Sequence, residues 1–242
     1  LKLLCKIRIM KKFLLKILTI STIFFAYTFF CKLQVSAFVL EKQYDRIYEV
    51  KDNYVQITET KVLNVVQENW YIPQGSTEGF VIFYPIINDP QEQTKVQETI
   101  DSIKVTDGSG SNISYQTEST TGGNLLIKVS IPKKVSINDG LNISLTYNSY
   151  GLLVKSGNIR DLYIPSFADD YKFQTDTSEE KVSTKVYIPK VYGNLNFIIP
   201  KVDFKDDGTN WVVDIPQQNL IGETGWIQIG TRQFFSFSID QK

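Results

Sequence analysis

Leu125-Leu126-Ile127-Lys128-Val129-Ser130-Ile131-Pro132, followed by Asp139-Gly140-Leu141-Asn142-Ile143-Ser144-Leu145-Thr146-Tyr147, sets apolar residues at every second position twice over, with Leu126 the one apolar residue out of phase. In an extended chain successive side chains point to opposite faces. Leu125, Ile127, Val129 and Ile131 therefore share a face of one strand, and Leu141, Ile143, Leu145 and Tyr147 share a face of another. Pro132 lacks the N–H that a ladder needs and ends the first segment, while Asp139-Gly140 supplies a turn into the second. Both predict half-buried strands.

The same period recurs on either side. Upstream, Tyr44, Tyr48 and Val50 share a face interrupted by Arg46, and Asp52-Asn53 supplies a turn. Val55 and Ile57 begin a return strand whose apolar face Glu59 breaks, which predicts a short hairpin. Phe80–Ile87 is a run of aromatic and branched residues, predicting a strand buried on both faces, with Pro85 marking an edge or a bulge. Asp107-Gly108-Ser109-Gly110 and Thr121-Gly122-Gly123-Asn124 read as turns. Downstream, strands are predicted over 159–164, 182–188, 195–199, 211–215, 226–229 and 233–239, with Asp207-Gly208 as a tight turn. Only 89–97 suggests a helix, with Asp89 as N-cap and Pro90 at the first position; short and polar, it reads equally well as a loop or a single turn. Many short strands separated by turn signals indicate an all-β chain. The expected architecture is two β-sandwich-like (Ig-like) units, 38–150 and 151–242, joined near Tyr150–Lys155, after an N-terminal signal or anchor helix over 1–37.

The first 37 residues differ in kind from the rest. The chain opens on Leu1, nine residues ahead of Met10, as an over-extended or fragmentary gene model would. Met10-Lys11-Lys12 is a basic start, Phe13–Phe30 is apolar apart from Lys16, Tyr27 and a few hydroxyls, and Val35-Ser36-Ala37 supplies a small-residue exit. These are the three parts of a secretory signal, with Ala37 the residue before the cut. The alternative is an uncleaved signal-anchor, since counting from Phe13 gives 18 residues with Lys16 near one end. Either way, 38–242 is expected outside the cytoplasmic membrane, secreted or membrane-anchored. Cleavage would remove both cysteines, Cys5 and Cys31.

Composition narrows the chemistry. There is no histidine among the 242 residues, so Cys–His and Ser–His–Asp nucleophiles lack their base. Zinc sites draw mainly on thiolate and imidazole, and no thiol occurs after Cys31. Seven of the 26 basic residues and none of the 26 acids lie in the leader, leaving 19 against 26 and a net charge near −7. An acidic, unclustered surface argues against nucleic acid as a partner.

Four stretches carry a family likeness. They are Arg46–Val62, centred on Asp52-Asn53-Tyr54-Val55-Gln56-Ile57-Thr58-Glu59; Leu141–Tyr147 leading into Lys155-Ser156-Gly157-Asn158-Ile159; Val186-Tyr187-Ile188-Pro189 with Tyr192-Gly193; and Ile229–Phe237. Together they resemble the N-terminal β-rich, non-catalytic region of transglutaminase-like membrane proteins of candidate-phylum bacteria. The resemblance implies the front part of a longer protein whose Cys–His–Asp catalytic domain would follow. No catalytic motif of that family falls on any residue here.

Individual constellations are weighed against plainer readings. Asp203, Asp206 and Asp207 before Gly208 suggest a calcium loop, but Lys205 sits where an oxygen ligand belongs, so a solvated hairpin turn is expected. Asp161 with Asp169-Asp170 is a similar case. Trp70, Tyr71, Phe80, Phe83 and Tyr84 form one aromatic group, and Trp211, Trp226, Phe234, Phe235 and Phe237 another, both read first as core. If any aromatics meet a ligand, Trp211, Trp226 and Phe234 are the candidates. The expected function is a non-catalytic extracytoplasmic structural or interaction module, needing no cofactor and no metal, whose partner is a protein or another cell-envelope component. Two alternatives stay open: a truncated transglutaminase-like enzyme lacking its catalytic domain, and a carbohydrate- or peptide-binding module.

Overall fold

The first strand of the computed structural model, β1 (Leu40–Val50), turns back at once into β2 (Val55–Val65), and the two pair antiparallel from Val50↔Val55 to Leu40↔Val65. The structure describes residues 40–82, 90–119, 124–166, 178–220 and 223–231. The hairpin is long, against the short one expected. Glu59 does not break its inner face, because Arg46 stands directly across from it and both are buried. Polar partners inside the sheet keep the period intact.

The chain continues through β3 (Tyr71–Ile72), β4 (Thr77–Ile82), helix α1 (Pro90–Asp101), β5 (Lys104–Asp107), β6 (Tyr115–Ser119), β7 (Leu125–Ser130), β8 (Val135–Ser136) and β9 (Leu141–Ser149). Then come β10 (Leu153–Ser156), β11 (Ile159–Ile164), β12 (Ser178–Pro189), β13 (Asn194–Ile199), β14 (Phe204–Asp206), β15 (Asn210–Pro216) and β16 (Gly225–Gly230). The described residues are thus mostly strand, as the all-β reading expects. A seven-stranded sheet runs β14-β15-β12-β1-β2-β9-β5, a four-stranded one β10-β11-β16-β13, a three-stranded one β4-β7-β6, and β3 pairs with β8. Among these pairings only β1 with β12 is parallel.

Burial follows the period-two pattern. On β2 and β9 every second residue points inward, among them Ile57, Leu63, Ile143 and Leu145. Their counterparts in the smaller sheets, Phe80, Ile127, Val129, Leu162, Ile164, Ile227 and Ile229, belong to the same continuous core. The outer side of the β2–β9 pair is polar, with Thr58 against Thr146 and Thr60 against Ser144, each pair of hydroxyls 3.3 Å apart. The join near Tyr150–Lys155 falls between β9 and β10, while β12 from beyond it pairs with β1 from before it. Residues 38–242 form one compact unit, distinct from 1–37.

Two further local readings differ from the structure. Of 80–87, only Phe80–Ile82 lie in described strand, and Val81 faces outward between buried Phe80 and Ile82, so this part is buried on one face. Asp89 lies outside the described residues, while 90–97 open a 12-residue helix beginning at Pro90, where a missing N–H costs nothing. The helix outruns its polar start because Thr99 is buried and Ile100 packs on the core. Ser102 closes its end, bonding Thr99 O at 2.7 Å and accepting Asn148 N–H from β9 at 2.8 Å.

Candidate binding surface

The four-stranded sheet has one face in the core and one turned outward. On β11, Leu162 and Ile164 are buried, so Asp161 and Tyr163 take the outer face. On β16, Ile227 and Ile229 are buried, which turns Trp226 and Gln228 outward. The antiparallel register sets Tyr163 beside Trp226 and Asp161 beside Gln228. Val154 of β10 lies opposite Asp161, and across β16 the edge strand β13 sets Phe197 opposite Gln228 and Ile199 opposite Trp226.

The side chains there form an ordered array. Tyr163 stacks on Trp226 with centroids 6.0 Å apart, and Phe197 meets Trp226 edge-on at 4.5 Å. Asp161 Oδ1 accepts both Trp226 Nε1–H at 3.0 Å and Gln228 Nε2–H at 2.9 Å, fixing the indole from below. Val154, Tyr163 and Ile199 are 49%, 38% and 47% exposed, so a mainly apolar strip faces solvent around the half-buried indole. Exposed apolar groups gathered on one sheet face are what an interaction surface presents.

The candidate aromatics named from sequence are not gathered in one place. Trp226 sits at the centre of this array. Trp211 lies on the inner side of β15 opposite buried Ile188, packs at the core's rim and donates Nε1–H to Gly193 O at 3.1 Å. Phe204 meets Trp211 edge-on, and Lys190 Nζ lies 5.0 Å from its ring. Phe234 and Ala37 lie outside the described residues. Tyr163, Phe197, Val154 and Ile199 were not singled out from sequence. Alternation alone opposes Tyr163 to Leu162 and Ile164, but the register bringing it to Trp226 links residues 63 positions apart.

Asp206 and Asp207 are engaged in their own turn. Asp206 accepts Gly208 N–H at 2.8 Å and the Lys190 ammonium at 2.7 Å, while Asp207 accepts the N–H groups of Thr209 and Asn210. These bonds hold both carboxyls below the usual range. Among the described residues no three acid, thiol or imidazole groups stand where they could share a metal ion. An open pocket of about 240 Å³ at the β1, β12 and β15 ends offers one carboxylate, Glu49, already paired with Lys51 at 2.6 Å.

A second polar cluster is internal. Tyr44 and Tyr147 donate their hydroxyls to the two oxygens of Glu59, the latter at 2.9 Å. Arg46 Nη2 donates to Tyr48 Oη at 2.6 Å and to Pro165 O at 3.2 Å. Burial first, then the Glu59 charge, pushes the Tyr44 and Tyr147 phenols well above their ordinary range. Burial also lifts Tyr48, to about 12, against the pull of Arg46. Beside them Lys61 bonds Glu78 at 2.9 Å and Gly79 O at 2.7 Å, and Lys42 takes the other Glu78 oxygen at 3.0 Å. Burial alone would raise the Glu78 carboxyl; Lys61 and Lys42 outweigh it and leave it below the usual value. Phenols this reluctant to ionise act as hydrogen-bond donors, so the cluster ties β1, β2 and β9 together from within.

No family model and no curated protein matches the chain. Solved structures similar to it include an M1 zinc metallopeptidase from Deinococcus radiodurans, at 9% identity and TM-score 0.38, covering 78% of this chain and 42% of that one. A mutant of that enzyme gives TM-score 0.37 at the same identity and coverage. A two-domain M1 zinc metallopeptidase mutant bound to L-tryptophan gives 0.36 at 9% identity, covering 79% of this chain and 43% of that one. The chain thus spans less than half the length of these structures, and among its described residues no helix is long and apolar enough to cross a membrane. At 9% identity and these TM-scores the likeness assigns neither fold relationship nor activity.

Proposed function

We propose that residues 38–242 act outside the cytoplasmic membrane as a non-catalytic interaction module, docking a protein or other cell-envelope component on the outer face of the four-stranded sheet. One observation carries this: Tyr163, Trp226 and Phe197 are locked together on that face, with Val154 and Ile199 exposed beside them. Pre-ordered apolar side chains lose little conformational freedom on binding, which favours a contact surface. The polar outer side of the β2–β9 pair has no such group. In this reading the layers make a β-sandwich of Ig-like character, 1–37 is the signal peptide or anchor, and the chain corresponds to the β-rich front of a transglutaminase-like membrane protein.

A carbohydrate or peptide ligand is the narrower form of the same reading, favoured by the Asp161 carboxylate beside Trp226. With rings on both sides of Trp226, an extended peptide or flat protein surface suits the strip better than a sugar stacked on the indole. The test is sedimentation of the purified chain with isolated cell envelopes. The double variant Tyr163→Ser, Ile199→Ser should bind at least about tenfold more weakly, a loss of about 1.4 kcal/mol, with its circular dichroism unchanged. Equal binding by the variant would remove this face from the proposal. Amine exchange on glutamine donors by the purified chain would remove its non-catalytic character.

A further inference from the structure

At the end of the hairpin where β1 begins, the surface carries a second apolar group. Val66, Trp70, Tyr71 and Ile137 are 41%, 41%, 47% and 37% exposed. Three backbone connections gather them. Val65 bridges Ile137, Tyr71 pairs with Ser136, and the turn after Val66 is closed by Trp70 N–H bonding Gln67 O at 3.3 Å. Both tip aromatics were read first as core, yet neither is buried. Lys134 Nζ stands 4.1 Å from the centre of the Tyr71 ring.

The position of this tip decides what it meets. Leu40, the first residue of β1, is the register partner of Val65, one residue from Val66. The chain preceding Leu40 carries the apolar run Phe13–Phe30. The segment that carries this run therefore joins the folded unit next to the tip, with Phe30 ten positions before Leu40. Tryptophan and tyrosine favour the bilayer–water interface, where an apolar ring and a polar N–H or O–H are both accommodated, and lysine can reach the headgroups from its aliphatic stem.

We infer that the tip formed by Val66, Trp70, Tyr71 and Ile137 rests in the interfacial layer of a lipid bilayer. The inference rests on the anchor form of the proposed extracytoplasmic reading, in which 1–37 stays in the membrane, and adds a surface to it. Electrostatics contribute little, since exposed Lys133 and Lys134 are offset by exposed Glu68 and Asp139. Zwitterionic lipid should therefore suffice, and added salt should not release the tip.

The experiment reconstitutes the full chain into phosphatidylcholine vesicles whose acyl chains are brominated, which quenches tryptophan at short range. Tryptophan emission should fall relative to unbrominated vesicles, and Trp70→Phe should abolish most of that fall, because Trp211 and Trp226 lie elsewhere in the fold. Unchanged circular dichroism shows that the variant is folded, and flotation reports separately whether the chain is held by the vesicles. Quenching of Trp70 without retention through flotation supports the tip while counting against stable anchoring. Retention with Trp70 unquenched overturns the inference, and leaves a protein as the partner for this surface. A chain neither retained nor quenched overturns both the tip and the membrane-associated reading.

Discussion

Glu78 joins two lysines from neighbouring strands, and its chemistry has a measurable consequence. Its carboxyl is depressed in the folded chain, because Lys61 and Lys42 outweigh the effect of burial. A group with a lower folded than unfolded value stabilises the fold above the unfolded value and loses that contribution as acid protonates it. The stabilisation should therefore be complete near neutrality and fade as pH falls from about 6 to about 3, across the usual glutamate value of about 4.3. Glu78→Gln takes the carboxylate from the buried Lys61 ammonium and leaves its existing bond to Gly79 O without a counter-charge, at a cost of roughly 3–5 kcal/mol near pH 7. Urea midpoints of both proteins at the two ends of this range check the sign. The gap between them should narrow toward pH 3, and a constant gap would show that Glu78 titrates alike in both states.

Among the elements, β11, β13 and β16 converge at Gly193 and Gly230. Gly230 holds φ at +136°, and a β-carbon there would lie 2.1 Å from Asn158 O. Gly193, at φ +111°, would place one 2.9 Å from the Gly230 backbone. Backbone strain of this kind costs roughly 1–3 kcal/mol before any clash is counted. Gly230→Ala should thus destabilise the fold more than Gly208→Ala, whose added carbon meets no atom within 4 Å, although both positions have positive φ. Equal thermal midpoints for the two variants would mean that the strands can separate at this corner without penalty. Gly230 also shows what sequence could convey: strand 226–229 was legible from Trp226-Ile227-Gln228-Ile229, but the need for glycine next to it comes from Asn158, a contact with no local signature. The same holds for the candidate surface. Alternation set the inward partners Leu162, Ile164, Ile227 and Ile229, whereas meeting Tyr163 with Trp226 required long-range register. Arg46 and Glu59 misled in the opposite direction: each looks like an interruption of an apolar face until the other stands across from it.

On the scale of the whole molecule, the seven-stranded sheet decides how the chain unfolds. Its central parallel pair joins β1, from the start of 38–150, to β12, from within 151–242, through ten residue pairs from Leu40↔Ser178 to Glu49↔Tyr187. Inward residues on both sides of Tyr150, among them Ile57 and Leu145 before it and Val186, Val213 and Ile227 after it, share one continuous core. Two independent sandwich units would each bury their own faces, and each could unfold while the other stayed folded. A sheet and core drawn from both halves lack that independence, because removing β12 and β15 uncovers the β1 edge and the inner face beside it. Unfolding of 38–242 should accordingly be one cooperative transition, with calorimetric and van't Hoff enthalpies in agreement. Fragments 38–150 and 151–242 prepared separately should lack the near-ultraviolet dichroism of packed aromatics and recover it on mixing. Two resolved transitions, or a fragment folded on its own, would instead establish the boundary at Tyr150–Lys155 as a true domain junction and reduce the β1–β12 pairing to a contact between neighbours.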